Sequence, residues 1–412
     1  MKLIYKSLLL FLIIASSFYA GFENPEVVYK VRYFFTPIEK QKPPEKIDNS
    51  KNEINQDEFL KKEFEGNSFS VFLEKAISID EKTASIFINS KEDKSLDLEI
   101  FTQKGFLIKK NSKQKLVLPV DFYAKNNFRN GGLKSIFKYD ERLFAFISRG
   151  NDTCYYVSLI EMGSLREIVN SKCISKPNGI DFNGSGGAYI KLNDGILFTV
   201  GAPENSSTEI AKLSQNPNSI FGKILFISDK NFDNENEKKN YKIYSSGHRN
   251  PQGLVKINEN IFSLEHGPQG GDELNQIKKN KNYGWPIVSL GTKYNNGASY
   301  KRNHKKLSFV EPLYSFIPSV APSSLNQCPK NLEEFYNEFT CLLGLSLKGQ
   351  SIIIILLDKL NSHVMSIEKI KVDKRLRHFG LTNDLKLFEN NSNFYISADA
   401  DGLYEVRFDK FR

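Results

Sequence analysis

Residues able to hold an anion, a cation and a proton crowd into one stretch, Gly247 to Pro286. One cluster carries His248, Arg249, Asn250 and Gln252. A second carries Glu265, His266, Asp272 and Glu273 among Gly267, Pro268, Gly270 and Gly271. A guanidinium meets a carboxylate in a bidentate fork, so an Arg-Asn pair suits a flat ligand bearing several carboxylates. Carboxylates beside a glycine- and proline-rich loop offer hard oxygen ligands of the kind calcium takes. Glycine lets the backbone approach a ligand closely, and proline holds the neighbouring carbonyl in place. Between the clusters runs Asn260-Ile-Phe-Ser-Leu264, which predicts a strand with a specialised loop at each end.

Such loops need a rigid scaffold, and the pattern around them is one of strands. Phe69 to Leu73, Ala84 to Ile88, Leu96 to Phe101 and Leu116 to Leu118 are short apolar runs between polar turns. One strand motif then recurs: Arg142 to Gly150, Gly195 to Gly201, Asn260 to Gly267 and Asn393 to Ser397. Each is a polar turn, a short strand, then glycine or a small residue, as stacked or radially repeated sheets give. Helical periodicity is nearly absent, with Asn331 to Leu343 the best candidate. The reading is all-β.

The words G-x-R-N-P-Q-G, E-H-G-P-x-G-G-D-E-x-N and N-Y-G-W-P, all within residues 247–286, resemble those of the soluble quinoprotein sugar dehydrogenases. The resemblance, to glucose/sorbosone and aldose sugar dehydrogenases, runs over roughly residues 95–408 at the precision of pattern reading. It passes through Asn127 to Leu133, Gly186 to Gly201, Asn216 to Leu225, Val320 to Ser324, Ser346 to Gly349 and Ala400 to Gly402. It implies a six-bladed β-propeller that uses pyrroloquinoline quinone (PQQ) and Ca2+ to oxidise the CH–OH group of an aldose, with a sugar and an electron acceptor as partners. It implies cofactor contacts at Arg249, Asn250, Tyr294, Ser319, Lys348, Arg375 and Arg377. The backbone carbonyls of Gly267 and Pro268 resemble the holders of the cofactor's calcium, and Glu273 with the Tyr283 carbonyl resembles a second calcium position.

The resemblance also marks a gap. The family's general base is a histidine in a word like N-H-x-G-G-R-L, and the corresponding word here is Asn183 to Tyr189. Gly184 takes the histidine position, Ala188 the arginine position and Ala202 the position of a following aspartate; Asn130 stands for a glutamine. Loss of a general base costs about 10²–10⁴-fold in rate. The catalytic residue is therefore not assigned. The alternative to a dehydrogenase is a propeller that binds cofactor, sugar or a protein partner without turnover. Plainer roles compete residue by residue. Arg375 and Arg377 read equally as a solvated strand face, Lys348 as a turn lysine, and Trp285 as core. Asp272 and Glu273 could cap a turn, His266 reads as structural, and His304, His363 and His378 as surface.

Composition sets the outer bounds. The 412 residues, 40% hydrophobic and 25% charged, suffice for a large core. The formal charge is +9, and basic residues such as Lys238 and Lys239 stand among acids, which reads as a mixed surface and not a nucleic-acid interface. Residues 1–20 have a basic start, an apolar run from Leu8 to Ala15 and small residues after it, the form of an export signal. Cleavage after Ser17 and after Ala20 both fit. The apolar run falls short of the ~20 residues of a membrane span, so no span is expected after its removal. Residues 21–65 read as an extension or linker, although Val27 to Phe35 alternates, and residues 66–412 as the propeller. The place expected is periplasmic or extracellular, where disulfides form. Four cysteines allow three pairings, of which Cys154–Cys173 and Cys328–Cys341 close the shortest loops; a zinc site is the weaker option.

Overall fold

Short apolar runs of this kind bury both faces only when sheets pack on one another, and here six sheets, each with an antiparallel body, do so in a ring. The computed structural model describes residues 61–90, 96–109, 112–124, 131–151, 153–175, 182–202, 209–233, 240–382 and 393–410. Blade 1 holds Thr83–Ser90, Leu96–Thr102, Phe106–Lys109 and Ser112–Lys115. Blade 2 holds Leu133–Tyr139, Arg142–Gly150, Cys154–Glu161 and Glu167–Asn170. Blade 3 holds Gly186–Leu192, Gly195–Val200, Lys223–Ser228 and Lys242–Ser246. Blade 4 holds Pro251–Ile257, Asn260–Glu265, Asp272–Gln276 and Tyr314–Phe316. Blade 5 holds Pro322–Gln327, Thr340–Ser346, Ser351–Leu357 and Val364–Lys371, and blade 6 holds Leu376–Phe379, Asn393–Ala398 and Gly402–Lys410. This is a six-bladed β-propeller.

The ring is closed by sequence ends that pair. Phe69–Ser78 runs antiparallel to Gly402–Lys410 as the outer part of blade 6, and Lys61–Glu65 pairs beyond it. The propeller strands thus begin at Lys61, inside the stretch read as linker. Val71 and Leu73 are fully buried on one face of the closing strand, which fixes its register. Residues 1–20 and Val27 to Phe35 lie outside the described residues.

The recurrent motif of the sequence is the second strand of blades 2, 3, 4 and 6. Phe144, Phe146, Phe198 and Phe262 on these strands are buried between blades. Two local expectations differ. Leu116 to Leu118 is not a strand: pairing stops at Lys115, and Leu116 and Leu118 instead pack inward ahead of Pro119, which cannot donate to a ladder. The helix expected over Asn331 to Leu343 spans only Lys330–Phe335. From Thr340 the chain is strand, because Leu342 faces one inter-blade core and Leu343 and Leu345 another. A run buried on both faces is a strand signal that a short helix mimics. Both cysteine pairs form as the short loops suggest, Cys154–Cys173 and Cys328–Cys341.

The first strand of each blade lines the axis, around a cavity of about 670 Å3. The loops at Gly247 and Ser319, which enter the inner strands of blades 4 and 5, and the loop at Gly267, between the second and third strands of blade 4, carry the residues with chemistry.

Candidate functional site

The chain enters blade 4 through Gly247-His-Arg-Asn250 and crosses back through His266-Gly-Pro-Gln-Gly-Gly271. The two loops are tied together. The Asn250 carbonyl accepts the His266 N–H at 3.0 Å, and Arg249 Nη1 donates to the His266 carbonyl at 3.2 Å. The Arg249 guanidinium lies 5.5 Å from the centre of the Trp285 ring, a cation–π contact that fixes its plane. Trp285 is itself buried among core residues, so it is both core and wall.

Asp272 holds the second loop. Its carboxylate accepts from the N–H groups of Gly267 at 3.0 Å and of Val320 and Ala321 at 2.7 Å each, and from Ser319 Oγ at 3.2 Å. It is the turn cap that the sequence allowed. Burial outweighs these donors and leaves its pKa above the usual carboxylate range. Gly267 has to be glycine for space, because a Cβ there would lie 1.9 Å from the Gly271 carbonyl oxygen. The Gly267–Pro268 carbonyls are thereby fixed in place, with Ser319 Oγ 3.4 Å from the Pro268 oxygen.

Behind Arg249 lies a void of about 10 Å3, bounded by Glu265, His266, Gly267, Pro268, Glu273, Tyr283 and Trp285 among others. That is the room of one water molecule or one ion. Asn275 Nδ2 bridges the two carboxylates beside it, 2.6 Å from Glu265 and 3.1 Å from Glu273. Burial, then the charge of Glu265, pushes the Glu273 carboxyl up. Two carboxylates held this close, with carbonyls beside them, are the donor set of a hard cation. Among the described residues no group of three or more His, Cys, Asp or Glu converges, so backbone carbonyls would complete the shell.

The histidines sort by environment. His248 is buried against Ser245 Oγ at 2.8 Å and Glu265 at 3.2 Å, and stacks on Tyr283. Both its ring nitrogens are engaged inside the chain, which removes it as a substitute base. His266 hydrogen-bonds the Pro322 carbonyl, while its Nε2 is buried with no partner among the described residues. Burial, with Arg249 and Arg377 close by, pushes its pKa down to about 3, so the ring is neutral. His363 is exposed, as expected. His304 and His378 are not surface residues. His304 is buried within the 277–313 excursion, and His378 sits on the inner strand of blade 6 against the axial cavity, its pKa pushed to about 3 by burial.

The remaining positions spread along the rim. Arg377 faces the axial cavity and forks onto Asp399, with Nη2 at 2.6 Å. Burial opposes ionisation of Asp399, but the Arg377 fork holds it below the usual range. Arg375 is half exposed, 3.7 Å from the same carboxylate. Lys348 is exposed, and Tyr294 is 63% exposed and borders neither cavity. Asn250 is buried, its Oδ1 accepting the Gly186 N–H at 3.0 Å. That bond ties the blade 3 rim, Gly184 to Ala188, to the Arg249 loop. Thr199 Oγ1 ties it further, accepting from Gly187 and Ala188 and donating to the Pro251 carbonyl. Ala202 N donates to the Arg249 carbonyl at 2.7 Å. The rim is pinned, yet Gly184 brings no side chain to it. Asn130 lies outside the described residues.

The profile of the glucose/sorbosone dehydrogenases matches residues 164–394, more than half of the chain. The chain belongs to this family. Aldose sugar dehydrogenase of Escherichia coli is 35% identical over 120 residues, 27% of this chain and 31% of that protein. The chain spans less than two fifths of the length of the curated relatives it matches. The crystal structure of the soluble E. coli aldose sugar dehydrogenase in its apo form superimposes with a TM-score of 0.63 at 19% identity, over 82% of this chain and 99% of that one. The PQQ-bound aldose sugar dehydrogenase of Streptomyces coelicolor gives 0.53 at 17% identity, over 82% and 98%. These likenesses fix the fold of this family member. Two of the curated relatives are named as an aldose sugar dehydrogenase and a quinoprotein glucose dehydrogenase.

One residue of the site lies beyond what sequence reasoning found. Lys223 is fully buried, its ammonium held by the carbonyls of Ser214 at 2.6 Å, Phe221 at 3.0 Å and Leu213 at 3.1 Å. Burial pushes its pKa down to about 7. The Ser214 carbonyl also accepts from Gly247 N, and Ser214 Oγ reaches the Trp285 carbonyl. Lys223 thus anchors the backbone behind both walls of the site. A lone lysine inside Ile220-Phe-Gly-Lys-Ile-Leu225 was the signal for it.

Proposed function

We propose that this chain is an exported oxidoreductase that oxidises the CH–OH group of an aldose with PQQ and Ca2+. The observation that carries the reading is the joined pair of loops in which Arg249, His266 and the Gly267–Pro268 carbonyls stand over the Glu265–Glu273 pair. The donor set fits both groups. Arg249 and Arg377 supply cations for carboxylates of the cofactor, with Lys348 and Arg375 at the exposed rim. The Nε2 of neutral His266, with no partner among the described residues, offers a hydrogen-bond acceptor beside them. The raised pKa of Glu273 is relieved by a cation in the void behind.

When bound, PQQ supplies a two-electron acceptor for hydride and Ca2+ polarises its quinone oxygens. The chain's own part is to orient the two and to exclude water from their far side through the Trp285–Arg249 wall. The hydroxyl proton of the sugar meets no side chain at Gly184, and His248 is committed elsewhere, so solvent hydroxide takes it. Turnover is then about 10²–10⁴-fold below that of a base-bearing relative. It rises about tenfold per pH unit across the range where hydroxide is the acceptor. The test is a dye-coupled aldose assay from pH 6 to 9. A rate that is flat with pH, or absent at every pH in PQQ-loaded protein, would overturn the reading.

A further inference from the structure

One strongly basic stretch of this chain lies against the candidate site. The excursion of blade 4 between its last two strands, residues 277–313, carries eight lysines and arginines and one acid, Glu311. That is a net +7; residues 104–138, with nine basic residues and Asp121, are comparably basic, but there Lys109 and Lys113 pair with Glu99 and Glu81. The sequence reading of basic residues scattered among acids does not hold in these two stretches, of which the excursion is the one beside the candidate site. Lys278, Lys279, Lys281, Lys301, Arg302 and Lys306 are all exposed. Among the described residues, Lys305 alone of the eight shows an ion pair with a carboxylate, to Glu311 at 3.5 Å. Like charges at this density repel one another, and within the described residues of the excursion only the Lys305–Glu311 pair and the contact of Lys293 with the Tyr300 ring offset that cost.

The excursion is also bound to the candidate site. Gln269 and Thr292 exchange backbone hydrogen bonds at 3.1 and 2.8 Å, and Trp285 and Ser289 bound the small void. Exposed apolar side chains stand on and beside it: Ile287, Tyr294, Leu307 and Ile317. Apolar groups amid uncompensated charge are the makings of a protein-docking face, in which charge steers and apolar contact holds.

We infer that the 277–313 excursion docks a protein with an acidic face, placed to take electrons from the adjacent site; the electron-transfer half rests on the function proposed above. The other polyanions fit less well. Single-stranded nucleic acid needs stacking platforms, and Tyr294 is the one exposed aromatic on the excursion, since Tyr283 and Trp285 are buried and Tyr300 and Phe309 half-buried. An anionic membrane surface is met by an amphipathic helix, and the excursion contains only the short turn Lys305–Leu307.

The test uses the full protein and labelled poly-L-glutamate as probe, followed by fluorescence anisotropy at low and at physiological salt. One variant neutralises the face: Lys278→Gln, Lys279→Gln, Lys301→Gln, Arg302→Gln and Lys306→Gln. A control variant neutralises five exposed lysines elsewhere: Lys104→Gln, Lys115→Gln, Lys172→Gln, Lys230→Gln and Lys369→Gln. The face variant is expected to lose about tenfold or more in affinity and most of the salt dependence, with the control close to wild type. Equal losses in both variants would overturn the inference. So would tighter binding to phosphatidylglycerol vesicles or to duplex DNA than to polyglutamate. In PQQ-loaded protein, the face variant is expected to reduce an acidic soluble cytochrome about tenfold more slowly while dye reduction is unchanged. Because the polyglutamate readout needs no cofactor, failure of PQQ binding would leave it standing.

Discussion

The two rims that meet at Asn250 have kept different things. The blade 4 rim keeps both geometry and chemistry: Arg249 is pinned by His266 and Trp285, and Asp272 caps the Gly267–Pro268 turn with four donors. The blade 3 rim keeps geometry alone. Its backbone is held by Asn250, Thr199 and Ala202, yet Gly184, Ala188 and Ala202 carry nothing able to move a proton. Binding and proton transfer are therefore separable in this molecule. A backbone cradle persists because it is part of the inter-blade packing, whereas a side chain that only does chemistry can be lost without cost to the fold.

Four changes sharpen or break that contrast. The largest effect is expected from Arg249→Ala on the furnished rim, which removes the charged anchor and should weaken PQQ binding by about 10²-fold or more, read by absorbance titration. On the stripped rim, Gly184→His with Ala188→Arg should raise sugar-dependent dye reduction by about 10²-fold and flatten its pH dependence above the new histidine's pKa. Gly184 has φ −77° and ψ 21°, which an L side chain adopts readily, and Ala188 faces the axial cavity, which has room. No gain in a folded, PQQ-loaded double mutant would mean that the two rims are not separable in this way.

Lys223→Ala probes the support common to both walls. It strands three buried carbonyls, so unfolding should cost roughly 3 kcal/mol less, seen in denaturant titration. Glu273→Gln is the mildest change. The folded pKa of Glu273 is raised, so the native state favours its protonated form. The carboxylate's burial therefore costs no stability below the ordinary glutamate range, and that cost grows as pH rises toward the folded value. The apoprotein variant should match wild type near pH 4 and melt about 2–4 °C higher at pH 8, while losing stabilisation by Ca2+.

The all-β class was legible because one strand pattern repeats, from Arg142–Gly150 to Asn393–Ala398, whereas the six-bladed propeller came from the resemblance carried by the glycine- and proline-rich words of residues 247–286. What escaped the sequence was whatever depends on three dimensions alone. His378 looked like surface until an inner strand turned it toward the axis. The apolar run after Thr340 looked helical until two cores claimed alternate residues. Lys223 gave no hint of its three carbonyls, which come from a turn up to ten residues away. The sheltered state of His248 also needed the fold, since its partner Glu265 arrives on the next strand.

The central claim is that the furnished rim is a cofactor site, and it is met most directly by titrating the purified protein with PQQ, with and without Ca2+, followed by absorbance. Calcium-dependent binding at micromolar PQQ, lost in Arg249→Ala, is the result predicted. Absence of binding at that concentration, or binding unchanged by Arg249→Ala, would contradict it.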